Sequence, residues 1–317
     1  MSPDWQPSAT LDVLRLRARM LARIRHFFAA RGVLEVETPA LSAAAASAPH
    51  LASFMAGYHG PQAPADGRLY LHTSPEYPMK RLLAAGSGSI YQICRVFRDG
   101  EAGARHNPEF TLLEWYRVGF GLDRLIDEVE RLLRNVLAGV RTLSAAEQCS
   151  YRELFLKYAG VDGLTADAAS LRACLERHGH RPPECMSRDG TPGDGTTDAE
   201  NNLDDWRDLV LTHVIEPQLA GLVFVSGYPA SQAALARITE DVPPVAARFE
   251  CYLDGVELAN GFHELADADE QLRRFEAENR ARIAAGLPQM PIDERLLTAL
   301  HTGLPDCSGV ALGVDRL

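Results

Sequence analysis

An α+β fold with a mainly antiparallel sheet flanked by helices is the class this sequence predicts, on three observations. Apolar residues recur at helical spacing in stretches near residues 10–30 and 123–137. Short alternating runs come in pairs around turn formers, most clearly at Asp254-Gly255. The order helix, strands, insertion, strands, helix, strand lacks the regular βαβ alternation of a doubly wound sheet. The 317 residues suffice for a sizeable core and are read as one domain, 1–317.

The first helix is placed by Leu14, Ala18, Leu21, Ile24 and Phe28, and Gly32 ends it. Val33 to Thr38 alternate as a strand that stops at Pro39. Residues 42–67, rich in Ala, Ser, Pro and Gly, read as a mobile loop. From Leu69 to Trp115 polar groups are set densely between short apolar runs. A second amphipathic helix fits Asp123 to Leu137. Residues 181–204 have little apolar content and many turn formers, so an exposed insertion is expected. Strands follow at Leu222–Ser226 and Arg248–Leu253, then a polar helix from Asp267 to Ala285 capped by Gly286.

Composition narrows the function. A formal net charge of -11 disfavours general attraction to a phosphate backbone. The six cysteines, at 94, 149, 174, 185, 251 and 307, form no CxxC pair, so buried reduced thiols are expected. No apolar run suits a signal peptide or a membrane span, which predicts a soluble, cytoplasmic protein with no membrane partner. GxxxxGK[ST], GxGxxG after a strand, GxSxG and HExxH are all absent.

Three segments carry chemistry. In YQICRVFRDGEAGARHNPEFTLLEWY (91–116), Arg98 leaves an apolar strand, a small-residue loop follows, and His106 and Asn107 open the return strand. Such a hairpin can clamp phosphates and hold a flat base against Phe110. Arg98 alone reads as a solvated charge. Taken with His106, Asn107, Glu109, Phe110 and Glu114, it reads as a site. In RFECYLDGVELANGFHEL (248–265), pairing outward from Asp254-Gly255 sets Tyr252 opposite Glu257 and Glu250 opposite Ala259. Glu250 and Glu257 then share a face, near enough to bridge a hard cation. Alternation puts Glu264 on the other face unless the strand bulges, with Gly261 the expected place. In GVALGVDRL (309–317), Gly309, Ala311 and Gly313 fall at period two and leave one strand face nearly bare, either for a flat ligand or for tight sheet packing.

Together with RGVLEVETPAL after the first helix, these segments resemble the three signature motifs of the class II aminoacyl-tRNA synthetases. TSPEYPMKRL (73–82) and ELANGFHEL (257–265) resemble the lysyl subgroup, and most closely its shortened paralogues that ligate (R)-β-lysine to elongation factor P. The likeness runs from about residue 10 to the end, apart from the insertion. It implies ATP and Mg2+ as cofactors, (R)-β-lysine and elongation factor P as partners, and a homodimer formed through the first helix and strand. Nucleotide contacts would come from Arg98, Asp99, Gly100, His106, Asn107, Phe110, Glu250, Cys251, Gly313 and Arg316, with Arg98 and Arg316 catalytic. Glu250 and Glu257 would bind the metal. Ser74, Pro75, Glu76, Glu114, Tyr116, Glu257, Asn260, Phe262, Glu264 and Ala311 would surround the amino acid.

The family's anticodon-binding barrel has no counterpart in the few residues before the first helix, so no tRNA partner is expected. Ala311 stands where the synthetases usually carry glycine. Gly100 stands where the family usually has a glutamate, with Glu101 as the adjacent substitute. The sequence ends just past Arg316, where the family continues into an apolar helix, so weaker support for that arginine is expected. A lysine-activating enzyme with another acceptor, and a silent regulatory binding module, are the other readings.

Overall fold

A computed structural model describes residues 5–103, 105–180 and 203–317. Most of the insertion expected over 181–204 lies outside them.

Thr10 starts the first helix, its hydroxyl accepting the Val13 N–H, and α1 runs Leu11–Ala29. The strand expected over Val33–Thr38 is short. Only β1, Leu34–Glu35, pairs, with one further ladder bond from Val36 N–H to Tyr91 O before Pro39. Residues 42–67 are not simply a loop. β2 (Leu41–Ser42) and β3 (Met55–Gly57) flank β4 (Arg68–Leu71) in a small antiparallel sheet. Strands of two to four residues are too short to show a period of two, which is why composition misread them.

The main sheet is assembled from both ends of the chain. After α2 (Glu76–Ala84), β5 (Ile90–Phe97) and β6 (Glu109–Val118) form the hairpin expected around Arg98. α3 (Leu122–Val136) follows, within one residue of its expected ends. Then come β7 (Glu147–Ser150), α4 (Tyr151–Leu154), α5 (Ala168–Arg177) and α6 (Leu203–Val210). β8 (Leu222–Pro229), β9 (Val245–Leu253) and β10 (Val256–His263) return to the sheet. α7 (Ala268–Ala284) is capped by the Asp267 side chain, α8 spans Glu294–Thr302, and β11 (Cys307–Gly313) closes the chain. The order of the eight strands is β1-β5-β6-β11-β10-β9-β8-β7, antiparallel except for β1 on β5 and β7 on β8. That is the expected fold class.

Alternation gives this sheet two unlike faces. Leu113, Trp115, Phe249, Cys251, Ala259, Val310 and Leu312 point to one side and pack with α1 and α3, where Phe28 stacks on Tyr91 at 4.5 Å. Burying each large apolar side chain of this layer is worth roughly 1.5–3 kcal/mol. The in-between positions point to the other side, where α2, α7 and α8 form a second apolar layer with Ile90 and Tyr116. The site lies on this second face. Among the described residues, no helix is long and apolar enough to cross a membrane.

Candidate active site

A cavity of about 1230 Å³ opens on that second face. Cross-strand register explains which side chains reach it. Glu114 of β6 lies opposite Ala311 of β11, Ala311 opposite Asn260 of β10, and Asn260 opposite Glu250 of β9. The neighbouring row is Tyr116, Gly309, Phe262 and Arg248. Gly309, Ala311 and Gly313 form the bare floor between two polar walls, as their spacing predicts, and all three line the cavity.

One register expectation is corrected. The turn is as read, with Asp254 and Gly255 both at positive φ and Tyr252 opposite Glu257. Glu250, however, pairs with Asn260 and not Ala259, because the strand bulges between Glu257 and Ala259. One extra residue reverses the parity of everything after it. Asn260, Phe262 and Glu264 therefore join Glu257 on the cavity side. Gly261, the expected bulge, pairs regularly. Its lack of a side chain serves packing instead, since a Cβ there would collide with the Phe249 ring.

The acidic part of the cavity is built from three elements. Ser74 accepts the Glu76 N–H at 3.0 Å as α2 begins and donates its hydroxyl to Glu114 at 2.6 Å. Tyr116 donates to the other Glu114 oxygen at 2.6 Å. Burial, then repulsion from Glu76, pushes the Glu114 carboxyl up to about 8 against these two bonds. Burial also raises Glu264, to about 7, with Lys80 opposing and Glu76 adding. The sequence reading missed Lys80. Its ammonium lies 2.7 Å from Glu76 and 2.6 Å from Glu264 and is 1% exposed. The Glu76-to-Lys80 spacing of four was a visible signal for the first of those pairs.

The basic part gathers the hairpin and the chain end. Arg98 stacks over Phe110 at 5.1 Å, approaches the Thr73 carbonyl at 3.4 Å, and lies 3.6 Å from Glu101. Arg316 donates to the Glu257 carbonyl at 2.9 Å, to the Glu257 carboxylate at 3.0 Å and to His106 Nε2 at 2.9 Å. Burial, then the nearby Glu250 charge, raises Glu257, and Arg316 opposes them. Asn107 also lines the cavity.

Five expected site residues are placed differently. Cys251 points into the core beneath the sheet, on the parity opposite to Glu250. Pro75 is the buried residue before α2 and does not line the cavity. Asp99 and Gly100 are exposed beside it, whereas Glu101 lines it and reaches Arg98. Glu250 is buried behind the wall. Tyr228 donates to it at 2.6 Å, Tyr252 and Arg248 bond it at close range, and Asn260 lies at 3.5 Å. Both Glu250 oxygens are therefore engaged, and Glu257 is the carboxylate of that pair that faces the cavity. Arg248, which lines the cavity between the Tyr228 and Phe262 rings, was also missed. No motif in the sequence marked it.

A family model described as tRNA synthetases class II (D, K and N) matches residues 4–317. The chain belongs to this family. Curated relatives named elongation factor P--(R)-beta-lysine ligase include that of Yersinia enterocolitica, 51% identical over 99% of this chain and 92% of the relative. That of Proteus mirabilis is 50% identical and that of Salmonella typhi 49%, with the same coverage. As a class II synthetase-like ligase, the chain is an ATP-dependent enzyme.

Proposed function

We propose that the protein activates (R)-β-lysine as its adenylate and transfers it to the ε-amine of a lysine on elongation factor P. The observation that carries this reading is the convergence of Glu76, Glu114 and Glu264 within one cavity that also holds Arg98 and Arg316. A substrate with two ammonium groups needs several carboxylates in a dry site, and its carboxylate needs cations beside the phosphate it attacks. Relatives at about 50% identity carry the corresponding name.

In the first step a carboxylate oxygen of the amino acid attacks the α-phosphorus of ATP and pyrophosphate leaves. Arg98 stabilises charge on the α-phosphate, and Arg316 with His106 receives the distal phosphates once Arg316 exchanges its bond to Glu257. Asn107 and Phe110 hold the nucleotide. Ser74, Glu76, Glu114, Tyr116, Asn260, Phe262 and Glu264 hold the amino acid, with Ala311 beneath it. In the second step the acceptor amine attacks the adenylate carbonyl, AMP leaves, and an amide forms. No protein nucleophile is needed, so positioning and electrostatics supply the rate.

Glu257 is the one carboxylate of its pair with Glu250 that faces the cavity and would be the ligand offered to a divalent cation; burial, with the Glu250 charge second, raises its carboxyl pKa. A magnesium ion held there would neutralise phosphate charge. Glu250 joins such a shell only by giving up one of its present donors. The same reading makes the protein a cytoplasmic homodimer, paired through α1 and β1, where Leu11, Leu14 and Leu34 are exposed.

ATP–pyrophosphate exchange with (R)-β-lysine, (S)-β-lysine and L-α-lysine tests the first step, and mass spectrometry of elongation factor P the second. Strongest exchange with (R)-β-lysine followed by a modified acceptor is expected. Preference for L-α-lysine, or an unmodified acceptor, overturns the reading.

A further inference from the structure

Lys80 is the most buried cation beside the site, yet it does not line the cavity. Glu76 and Glu264, the two carboxylates it bridges, do. One comes from the first turn of α2 and the other from just past β10, elements that are far apart in the sequence. With both carboxylates ionised, the triad carries one net negative charge inside the protein. That is an expensive arrangement unless a further cation arrives. Burial alone would push the Lys80 ammonium down, but Glu264 and then Glu76 outweigh it and the net direction is up.

We infer that Lys80 is a positioning residue for the amino-acid pocket: from behind the wall it fixes Glu76 and Glu264, and so sets where a substrate ammonium is accepted. This rests on the reading that the substrate is a diamino acid. An ammonium has three donors and no acceptor, so Lys80 can bind one oxygen of each carboxylate at once. The oxygens ion-paired with it are Oε1 of Glu76 and Oε2 of Glu264. The Gly309 backbone also hydrogen-bonds the Glu264 carboxylate, which ties it to the cavity floor. Without Lys80, two carboxylates would face each other across a gap, and one would take up a proton or swing away. Either response removes the negative charge that a substrate ammonium meets.

The other titratable or charged groups near the triad are Glu114 and Tyr116 of β6, Cys307 of β11, and Arg237, whose guanidinium donates to the Glu264 carbonyl at 2.7 Å. Beyond Glu76 stand Tyr77 of α2, Glu278 of α7 and Asp293 before α8. Arg237 meets the Glu264 main chain and pairs with Asp306, so it does not take the place of Lys80 between the two carboxylates.

The test is pyrophosphate exchange by Lys80→Met, which keeps the length and removes the charge. Loss of an oriented charge-assisted bond predicts a rise of about ten- to a hundredfold in the KM for (R)-β-lysine. The KM for ATP stays within about twofold, and the acid limb of the KM profile moves to higher pH as Glu264 loses its counter-ion. A merely structural lysine would instead lower the melting temperature, change both KM values together and leave that limb in place. An amino-acid KM near wild type, or that structural pattern, overturns the inference. If Lys80→Met does not fold, the neutral pair Lys80→Met with Glu264→Gln is compared with Glu264→Gln alone. A further rise of about tenfold in the amino-acid KM supports the inference, because Glu76 has lost its anchor, and equality overturns it. Wild-type protein that exchanges with no diamino acid overturns the functional reading and this inference with it. Wild-type exchange with an unchanged Lys80→Met overturns only the inference.

Discussion

Adding one methyl group to the cavity floor at Gly309 tests whether that floor is as tight as its geometry requires. A Cβ built on Gly309 stands 2.6 Å from Glu264 Oε1 and closer still to the Tyr116 ring. Restoring an ordinary 3.4 Å contact to the carboxylate alone demands a retreat of about 0.8 Å. Tyr116 has little room to move, being 2% exposed and bonded through its hydroxyl to Glu114. Gly309→Ala is therefore expected to cost about 1–3 kcal/mol by overpacking. That is a fall of roughly 1.5–4.5 °C in melting temperature for a chain of this size. Displacement of Tyr116 and Glu264 should also raise the amino-acid KM by about tenfold, as expected when charge-assisted bonds lose their geometry. Gly313→Ala is the internal control. The nearest atom to its added Cβ is Arg316 Cδ at 3.8 Å, an ordinary contact, so stability should hold and any kinetic change should fall on ATP. Thermal melts and exchange kinetics read both variants. A Gly309→Ala protein with the wild-type melting temperature and amino-acid KM would refute the packing argument.

Three other outcomes follow from the same geometry. Glu114 and Glu264 titrate at about 8 and about 7 in the folded chain, above the ordinary carboxylate value of 4.5, so the folded state holds more protons than the unfolded state between those limits. Stability must then fall as pH rises through that window, and the melting temperature of the empty protein should drop from about pH 4.5 to 8, less steeply with saturating substrate. Glu250→Gln leaves buried Arg248 without its carboxylate and should cost about 3–5 kcal/mol in a denaturant melt. Glu257→Gln should leave stability nearly intact and raise the magnesium concentration needed for half-maximal exchange; the reverse pattern would undo the assignment of roles. Arg98→Ala should lower kcat for exchange by about 10²–10³ without moving the melting temperature, since the lost donor acts on the transition state.

How much of this was legible in the sequence depends on the range of the determining interaction. The β5–β6 hairpin and the Asp254-Gly255 turn were readable because a strand pattern or a pair of positive φ angles is set by adjacent residues. The bulge at Leu258 was not, because no glycine or proline marks it and its cause lies in the register of two neighbouring strands. Lys80 was hidden for a similar reason. A lysine one turn after a glutamate reads as a solvated pair, and only Glu264, nearly two hundred residues away, makes it an interior cation. The small sheet around β4 was masked by its composition. Alanine-rich loops look mobile, yet Ser47 bonds Glu278, Ala45 N–H bonds Pro291, and Arg282 bonds the Ala48 carbonyl.

The bulge and the buried lysine belong to one design problem. Three carboxylates and a tyrosine must share a floor of small residues, but β10 in strict alternation would send Glu264 into the apolar layer under α1 and α3. One extra residue after Glu257 returns Asn260, Phe262 and Glu264 to the cavity side and turns Ala259 into the core. The same shift brings Glu264 close to Glu76, which like charges resist. Lys80 removes that objection from the interior side, where no substrate reaches. The parity change and the hidden cation are thus mutually dependent. A bulge without Lys80 would gather carboxylates that repel one another, and Lys80 without the bulge would be an interior ammonium with Glu76 as its sole acidic partner.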